Sequence, residues 1–203
     1  MVTNSEKKKV LNVGCGPVGR AHGFAGFQDW QELRLDIDPA VQPDLVGSMT
    51  DMSAVATGSV DAIVSSHNIE HLYPHEVPVA LAEFVRVLKD DGMVLITCPD
   101  LQSVCARVAR GELASPLYES SAGPISALDI MYGLRSAMAA GNLYMAHRCG
   151  FTLRVLADTL QACGFQRTAG VARPAAFELW MLATKNNVSD EAVRLLAQKH
   201  LPV

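Results

Sequence analysis

Val10-Leu-Asn-Val-Gly-Cys-Gly-Pro-Val-Gly19 has the pattern of a buried strand that runs directly into a tight turn. Three of its first four residues are apolar, as in a strand that a parallel sheet buries on both faces. Gly14 and Gly16 then end the apolar run. A residue without Cβ can adopt a positive φ and lets a ligand approach the main chain, so this turn is a candidate cofactor loop.

The glycines of this turn match the dinucleotide-binding spacing G-x-G-x-x-G, with Gly19 as the third. Asp36 and Asp38 follow about 20 residues later, at the end of a second apolar run. A carboxylate in that place can accept hydrogen bonds from two ribose hydroxyls. The spacing alone leaves two interpretations open, a cofactor-binding turn or a structural strand-to-helix turn without a ligand.

Apolar runs of strand length recur along the chain and alternate with segments of helix length, which is typical of a doubly wound parallel sheet. The runs are 10–13, 33–37, 60–64 and 93–97, with a short additional strand expected at 45–46. Helices are expected at 79–88, after Thr152 and at 189–199, and a turn at 89–92. We therefore predict an α/β fold whose ligand lies at the carboxyl ends of the strands.

Length and composition favour one domain over residues 1–203 of this 203-residue chain. The net charge is −4 and the only basic run is Lys7-Lys8-Lys9, so we expect no nucleic-acid partner. No apolar stretch approaches the length of a membrane-spanning helix, and the polar N-terminus lacks a signal-peptide core. We expect a cytoplasmic protein without a membrane partner, and the sequence does not indicate an oligomeric state.

His67-Asn-Ile-Glu-His71 matches the inverted zinc-protease motif, in which one helix face carries both imidazoles. Here the histidines directly follow a strand, and Pro74 and Pro78 leave little room for such a helix. The five cysteines are scattered and show no Cys-x-x-Cys pair. The sequence therefore predicts no metal site.

Four segments, taken in this order, resemble the class I S-adenosylmethionine-dependent methyltransferases, and within them the small bacterial type 11 branch. The segments are Leu11-Asn-Val-Gly-Cys-Gly-Pro-Val-Gly19, Leu35-Asp-Ile-Asp-Pro39, Val60-Asp-Ala-Ile-Val-Ser-Ser-His-Asn-Ile-Glu-His-Leu72 and Glu83-Phe-Val-Arg-Val-Leu-Lys-Asp-Asp-Gly-Met-Val-Leu-Ile96. The resemblance extends over about residues 9–165. It implies a Rossmann-like, mostly parallel seven-stranded sheet with a terminal antiparallel strand, closed by a hairpin of 164–171 and 177–183.

The resemblance implies S-adenosylmethionine as the cofactor and a set of residues that bind it. The set is Asn12, Gly14, Cys15, Gly16, Asp36, Ile37, Ser48, Met49, Asp51, Ser66 and His67. Two of these positions depart from the family. Asn12 stands where an acidic residue is usual, and Ser48 where Asp is common, so that Asp51 can take over the adenine contact. An ordinary capped helix start at Ser48, Thr50 or Asp51 is the alternative.

The resemblance also suggests His71 and His147 as candidate catalytic residues, each as a general base for the acceptor if that is a hydroxyl. For His147 a purely structural hydrogen bond is the alternative. An insertion at about 103–147, with helix-like pieces at 103–110 and 126–140, would form either a lid over the acceptor or surface decoration.

The function that the sequence favours is methyl transfer from S-adenosylmethionine to an unidentified, small-molecule acceptor. A nicotinamide-dependent oxidoreductase that uses the same glycine turn is one alternative. A cofactor-binding module without catalysis is another. Neither the acceptor nor its nucleophilic atom follows from the sequence.

Overall fold

The computed structural model describes residues 7–17 and 24–202, so Gly19 of the glycine spacing lies outside the described residues. The described residues form nine strands: β1 (Lys9–Val13), β2 (Gln31–Asp36), β3 (Leu45–Val46), β4 (Val60–Ser66), β5 (Leu88–Pro99), β6 (Pro116–Ser120), β7 (Gly123–Ser126), β8 (Arg167–Arg173) and β9 (Glu178–Thr184). Six helices accompany them: α1 (Val77–Val87), α2 (Leu101–Val108), α3 (Ala127–Tyr132), α4 (Arg135–Ala139), α5 (Leu153–Ala162) and α6 (Asp190–His200).

Seven of the strands form one sheet in the order β3-β2-β1-β4-β5-β9-β8. Neighbours from β3 to β5 pair in parallel, whereas β9 pairs antiparallel with both β5 and β8. The predicted mostly parallel seven-stranded sheet with an antiparallel strand is therefore confirmed. The antiparallel strand is last in the chain but lies inside the sheet, between β5 and β8.

Alternate residues of the strands enter two apolar cores on opposite faces of the sheet. On one face, Leu11 and Ile63 pack with Phe84 of α1 and Leu156 of α5. On the other face the core is smaller and includes Val10, Val64, Phe27 and Leu182. Successive side chains of a strand point to opposite faces of the sheet, so the strands place apolar residues on both faces. The apolar run in β1 predicts this burial on both faces.

Several helices begin with a side-chain cap, at or near the positions that the sequence predicts. The Thr152 hydroxyl accepts from the Val155 amide at the start of α5, and Ser189 accepts from Ala192 at the start of α6. Each bond satisfies an amide that lacks an intrahelical partner. The predicted helices at 79–88 and 189–199 are confirmed with shifts of one or two residues.

The predicted turn at 89–92 is wrong, because β5 already begins at Leu88. Val60 pairs with Leu88 and Ala62 with Met93, so the register shifts between them and the strand continues through an irregularity. Lys185 stabilises the extended path: its amide donates to the Gly92 carbonyl and its Nζ donates to the Leu88 carbonyl. Long-range pairing therefore overrides the local Asp-Asp-Gly turn signal.

The region between α2 and α5 contains more structure than its sequence suggests. The helix-like pieces are present as α2, α3 and α4, but β6 and β7 form a hairpin between them that the sequence analysis missed. Val104, Ile125, Ala127 and Ile130 make a small core for this region, with Phe177 of the β8–β9 connection packed against it. We call residues 101–147 the insertion.

The last helix holds the segment that follows the glycine turn. His200 of α6 is buried, its Nδ1 donates to the Ala25 carbonyl at 2.9 Å, and its ring centroid lies 4.6 Å from that of Phe27. A Cβ on Gly26 would lie 2.6 Å from the His200 ring, so the segment fits closely against the helix. Within 7–17 and 24–202, none of the helices combines the length and apolar character that crossing a membrane requires.

Phe84 offers a test of the larger core. It is fully buried on α1, whereas Val79 on the same helix is 49% exposed. We expect Phe84→Ala to lower the free energy of unfolding by about 3–5 kcal/mol, because it removes a ring and leaves a cavity. Val79→Ala, the control, should change it by no more than about 0.5 kcal/mol. Urea denaturation measures both, and equal effects would contradict this packing.

Candidate active site

The carboxyl ends of three parallel strands meet at one edge of the sheet. Val13, the last residue of β1, pairs with Leu35 of β2 on one side and with Ser65 of β4 on the other. The chain leaves β1 for β2 and later returns to β4 on the opposite side, so the strand order reverses here. Ligands of such sheets bind in the crevice that this reversal opens.

The glycine turn caps this edge. Gly14 and Gly16 have φ values of +68° and +60°, a region that residues with a Cβ rarely adopt. The amides of Gly14 and Cys15 both donate to the Leu35 carbonyl, at 2.8 and 3.2 Å. A Cβ on Gly14 would lie 2.3 Å from Nδ2 of Asn68, so that position has no room for a side chain.

Asp36 joins the end of β2 to this turn. Its Oδ2 accepts from the Gly16 amide and its Oδ1 from the Asp38 amide, both at 2.9 Å. A carboxylate has about four acceptor sites, so Asp36 retains capacity for a ligand's hydroxyls. Ile37, the next residue, is 44% exposed and presents apolar surface beside that carboxylate.

Asn12 has an acidic neighbour on the adjacent strand. It is buried on β1, and its Nδ2 donates to Oε1 of Glu32 on β2 at 2.8 Å. The acidic group that the family usually has at this position is therefore present one strand away. The sequence analysis missed Glu32, because only the β1–β2 register brings it beside Asn12.

The predicted adenine-binding residues lie in a turn after β3. The Ser48 hydroxyl contacts that of Thr50 at 2.7 Å and accepts from the Thr50 amide. Met49 is buried, whereas Asp51 is exposed and accepts from the Ser53 amide. Ser48 and Asp51 form an isolated bridge, and no helix begins here in the described chain, so the alternative of a capped helix start is wrong.

His67 directly follows β4 and has a strained conformation, with φ of +47°. The preceding Ser66 hydroxyl contacts Thr97 on β5 at 2.9 Å. The His67 ring is 47% exposed and lies between two carboxylates, with Nε2 3.0 Å from Glu178 Oε1 and Nδ1 3.5 Å from Glu70 Oε1. Burial alone would lower the pKa of His67, but these carboxylates raise it to about 10. The ring is therefore an imidazolium at neutral pH.

Glu70 lies beneath this ring in a short 3₁₀ turn, Ile69–His71, rather than in the long helix of the zinc-protease motif. Its side chain is 1% exposed, and in the described part of the chain neither carboxylate oxygen accepts a hydrogen bond. Burial opposes its ionisation, but His67, with His71 and His147, lowers the pKa of Glu70 below its usual value. A buried, ionised carboxylate is therefore held by charge rather than by hydrogen bonds.

His71 and His147, the two predicted catalytic residues, are brought together by the fold. Their ring centroids lie 4.9 Å apart in an edge-to-face arrangement. Nδ1 of His71 contacts the Ala146 carbonyl at 3.1 Å, and Nδ1 of His147 contacts the Ile130 carbonyl at 2.7 Å. A carbonyl can only accept, so Nδ1 of each ring carries a proton, and in the neutral form of either ring the lone pair is on Nε2. Burial lowers the pKa of His147, which favours this neutral form.

Backbone hydrogen bonds hold the two segments of this pair in register. The amides of Arg148 and Cys149 donate to the Glu70 carbonyl at 2.8 and 3.2 Å. Nη1 of Arg148 donates to the His71 carbonyl at 2.7 Å. His147 therefore reaches the site from the end of the insertion, and its structural hydrogen bond to Ile130 positions it there.

Two further residues at this edge were missed by the sequence analysis. Asn68 contacts the glycine turn, and Glu178, the first residue of β9, pairs with His67. Glu178 reaches the site because β9 runs antiparallel to β5, with Glu178 opposite Pro99. A charged residue at the start of an otherwise apolar strand was the only local signal of it.

Comparison with known families places this geometry in context. Residues 11–96 match the model of a methyltransferase domain family. No match to the chain was found among curated proteins.

Solved methyltransferase structures share the fold at low sequence identity. An S-adenosylmethionine-dependent methyltransferase from Thermotoga maritima is 14% identical, with a TM-score of 0.57 over 89% of this chain and 83% of its own. A Listeria monocytogenes protein assigned to the same enzyme class is 15% identical, with a TM-score of 0.59 over 90% and 92%.

The 1,6-didemethyltoxoflavin-N1-methyltransferase of Burkholderia thailandensis, solved with 1,6-didemethyltoxoflavin and S-adenosylhomocysteine bound, is 18% identical. Its TM-score is 0.56 over 90% of this chain and 72% of its own. At these identities the structures show the fold, and residues 11–96 are the part of the chain that matches a methyltransferase domain. The chain therefore has the fold of the class I S-adenosylmethionine-dependent methyltransferases.

Proposed function

We propose that this enzyme methylates a small-molecule acceptor that enters beside His71 and His147. The observation that carries the proposal is the meeting of the glycine turn, Asp36 and this histidine pair at one edge of the sheet. The glycine turn and Asp36 suit the methyl donor, and the two histidines lie where an acceptor can approach that donor.

The residues of the glycine turn fit the cofactor. Positive φ at Gly14 and Gly16 exposes main chain without side chains in the way. Asp36 has acceptor sites left for ribose hydroxyls, and Ile37 offers apolar surface for the adenine ring. Ser48, Met49 and Asp51 in the next turn would complete the adenine end, and Ser66 and His67 the methionine end.

The pairing of Asn12 with Glu32 supports binding of the ammonium group of the cofactor. The buried Asn12 amide holds the Glu32 carboxylate on the neighbouring strand β2. The departure from the family at this position is therefore no argument for a cofactor-binding module that lacks catalysis.

When bound, the cofactor supplies a methyl group that its sulfonium has already activated. The chain's own task is to hold the acceptor in line with that group and to exclude water. His71 and His147 each present a lone pair at Nε2 for contact with the acceptor. The insertion, which fixes His147 through Ile130, would act as a lid within one domain over residues 1–203.

Thermal-shift measurements with S-adenosylhomocysteine and with NAD test the proposal first. We expect stabilisation by S-adenosylhomocysteine alone, and stabilisation by NAD alone would contradict the cofactor assignment. A panel of small hydroxyl and amine acceptors, followed by release of S-adenosylhomocysteine, then identifies the substrate. Turnover only with nucleic acid or protein acceptors would contradict a small-molecule substrate.

The glycine turn gives a direct prediction for cofactor affinity. We expect Gly14→Val or Gly16→Val to abolish S-adenosylhomocysteine binding in a folded protein, because both positions have positive φ and a side chain at Gly14 displaces Asn68. Gly58→Val is the matched control, since Gly58 has φ of +63° but nothing within 4 Å of an added Cβ. Calorimetry should show unchanged affinity for the control and none for the turn variants.

The two aspartates at the end of β2 are distinguished by a second prediction. Asp36→Ala should weaken S-adenosylhomocysteine binding about tenfold to a hundredfold, because losing hydrogen bonds to a charged group costs about 1.5–3 kcal/mol. Asp38→Ala removes only a cap on the Ala40 amide and serves as the control. The reverse order of effects would shift the ribose assignment to Asp38.

A third prediction separates the acceptor side from the donor side. His71→Ala should lower turnover much more than it weakens S-adenosylhomocysteine binding, because its partner is the acceptor. His75→Ala, at an exposed histidine nearby, should change neither. Equal loss of turnover and cofactor affinity in His71→Ala would place His71 on the donor side.

A further inference from the structure

Glu70, His71 and His147 together form a set of potential metal ligands. One donor atom from each residue lies within 4.8 Å of the donor atoms of the other two. This trio differs from the His67, Glu70 and His71 of the sequence motif, because His147 comes from the end of the insertion. The expectation of no metal site rested on the motif and on the scattered cysteines, and neither includes His147.

The chemistry of each member suits a cation. Both histidines have Nδ1 on a backbone carbonyl, which leaves the Nε2 lone pair for a ligand. Metal-binding histidines commonly have this second hydrogen bond, which fixes the tautomer and the ring orientation. Glu70 adds an anionic ligand that is 1% exposed and lacks a hydrogen bond at either oxygen within the described residues.

The unpartnered carboxylate is the observation that favours a bound ion over a plain histidine cluster. A buried carboxylate without hydrogen bonds is costly, and such groups are usually paired or coordinate metals. His67 balances its charge from 3.5 Å, but the other ring nitrogen of His67 is directed to Glu178. The side of Glu70 that faces the two histidines is left for a cation.

We propose that Glu70, His71 and His147 bind one divalent metal ion at the acceptor side of the active site. Two imidazoles and one carboxylate are a ligand set of catalytic zinc sites. In a tetrahedral site with ligand atoms at about 2.0–2.2 Å from zinc, those atoms are about 3.3–3.6 Å apart. The donor atoms of the trio, which lie within 4.8 Å of one another, can reach that spacing with small side-chain movements.

Three protein ligands leave a fourth position open, and this gives the site a role that rests on the proposed methyl transfer. The open position would take a hydroxyl oxygen of the acceptor and ease loss of its proton to solvent. That oxygen then forms the new bond to the methyl carbon as the carbon–sulfur bond breaks, and the bonding pair stays on sulfur. The histidines would thus act on the acceptor through the ion rather than as bases.

Metal binding by the tag-free full chain, stripped with a chelator, tests the site. We expect one equivalent of Zn²⁺ by calorimetry, and one equivalent of Co²⁺ with visible absorption that reports nitrogen and oxygen ligands. Glu70→Gln and His147→Ala should each weaken metal binding by about 10- to 100-fold or more. Removing a residue that only hydrogen-bonds to a metal ligand already weakens binding by that factor. His75→Ala, the control, should bind as the parent does.

Each other outcome overturns the proposal or a defined part of it. Unchanged affinity in Glu70→Gln and His147→Ala would place the ion elsewhere and overturn the site. Absence of Zn²⁺ and Co²⁺ binding while S-adenosylhomocysteine still stabilises the protein would overturn the metal and leave methyl transfer standing. If neither S-adenosylhomocysteine nor a metal binds, both proposals fail.

The open position has a separate readout. Acetohydroxamate, a small chelator with two oxygen donors, should shift the visible spectrum of the Co²⁺-loaded protein by entering the open position. An unchanged spectrum at saturating acetohydroxamate would mean a closed, structural site and would overturn the role in acceptor activation.

Discussion

The pairing of β1 with β2 on one side and with β4 on the other is the constraint on which the site depends. Parallel strands end at the same edge, so this pairing alone sets the glycine turn, Asp36 and the segment of His67 side by side. None of these groups is close to the others in sequence. Their geometry is therefore as rigid as the buried centre of the sheet, where Leu11 and Ile63 are fully enclosed.

At this edge of the sheet the fold buries a charged group, the Glu70 carboxylate. Glu70 lies below an imidazolium and beside the rings of His71 and His147, and two backbone amides hold the carbonyl of the same residue. The main chain around Glu70 is thus well satisfied, whereas its carboxylate is not. Such a contrast between a firm backbone and an unsatisfied side chain is typical of a functional site.

Most of the fold could be predicted from local patterns, because strand alternation, helix caps and the glycine turn each depend on a few consecutive residues. They failed where distant pairing decides the outcome. Leu88 to Gly92 looks like a turn, but Val60 and Lys185 hold it extended. The β6–β7 hairpin was missed because its two short strands contain Pro116, Gly123 and Pro124, and Gly and Pro are uncommon within strands.

The candidate site follows the same division. Gly14, Gly16 and Asp36 were found from spacing, since the turn and the strand end are neighbours in a βαβ pattern. Glu32 and Glu178 could not be found, because each reaches its partner only through strand register. The pairing of His71 with His147 depends on the path of the whole insertion between them.

The bond between His200 and Ala25 joins residues 175 positions apart. During synthesis the glycine turn emerges from the ribosome early, yet the apolar segment behind it receives its cover from the last helix. Every nascent chain that lacks the end of α6 therefore leaves Phe27 without this neighbour. The segment of Ala25 and Phe27, although early in the sequence, completes its surroundings only after α6 has been synthesised.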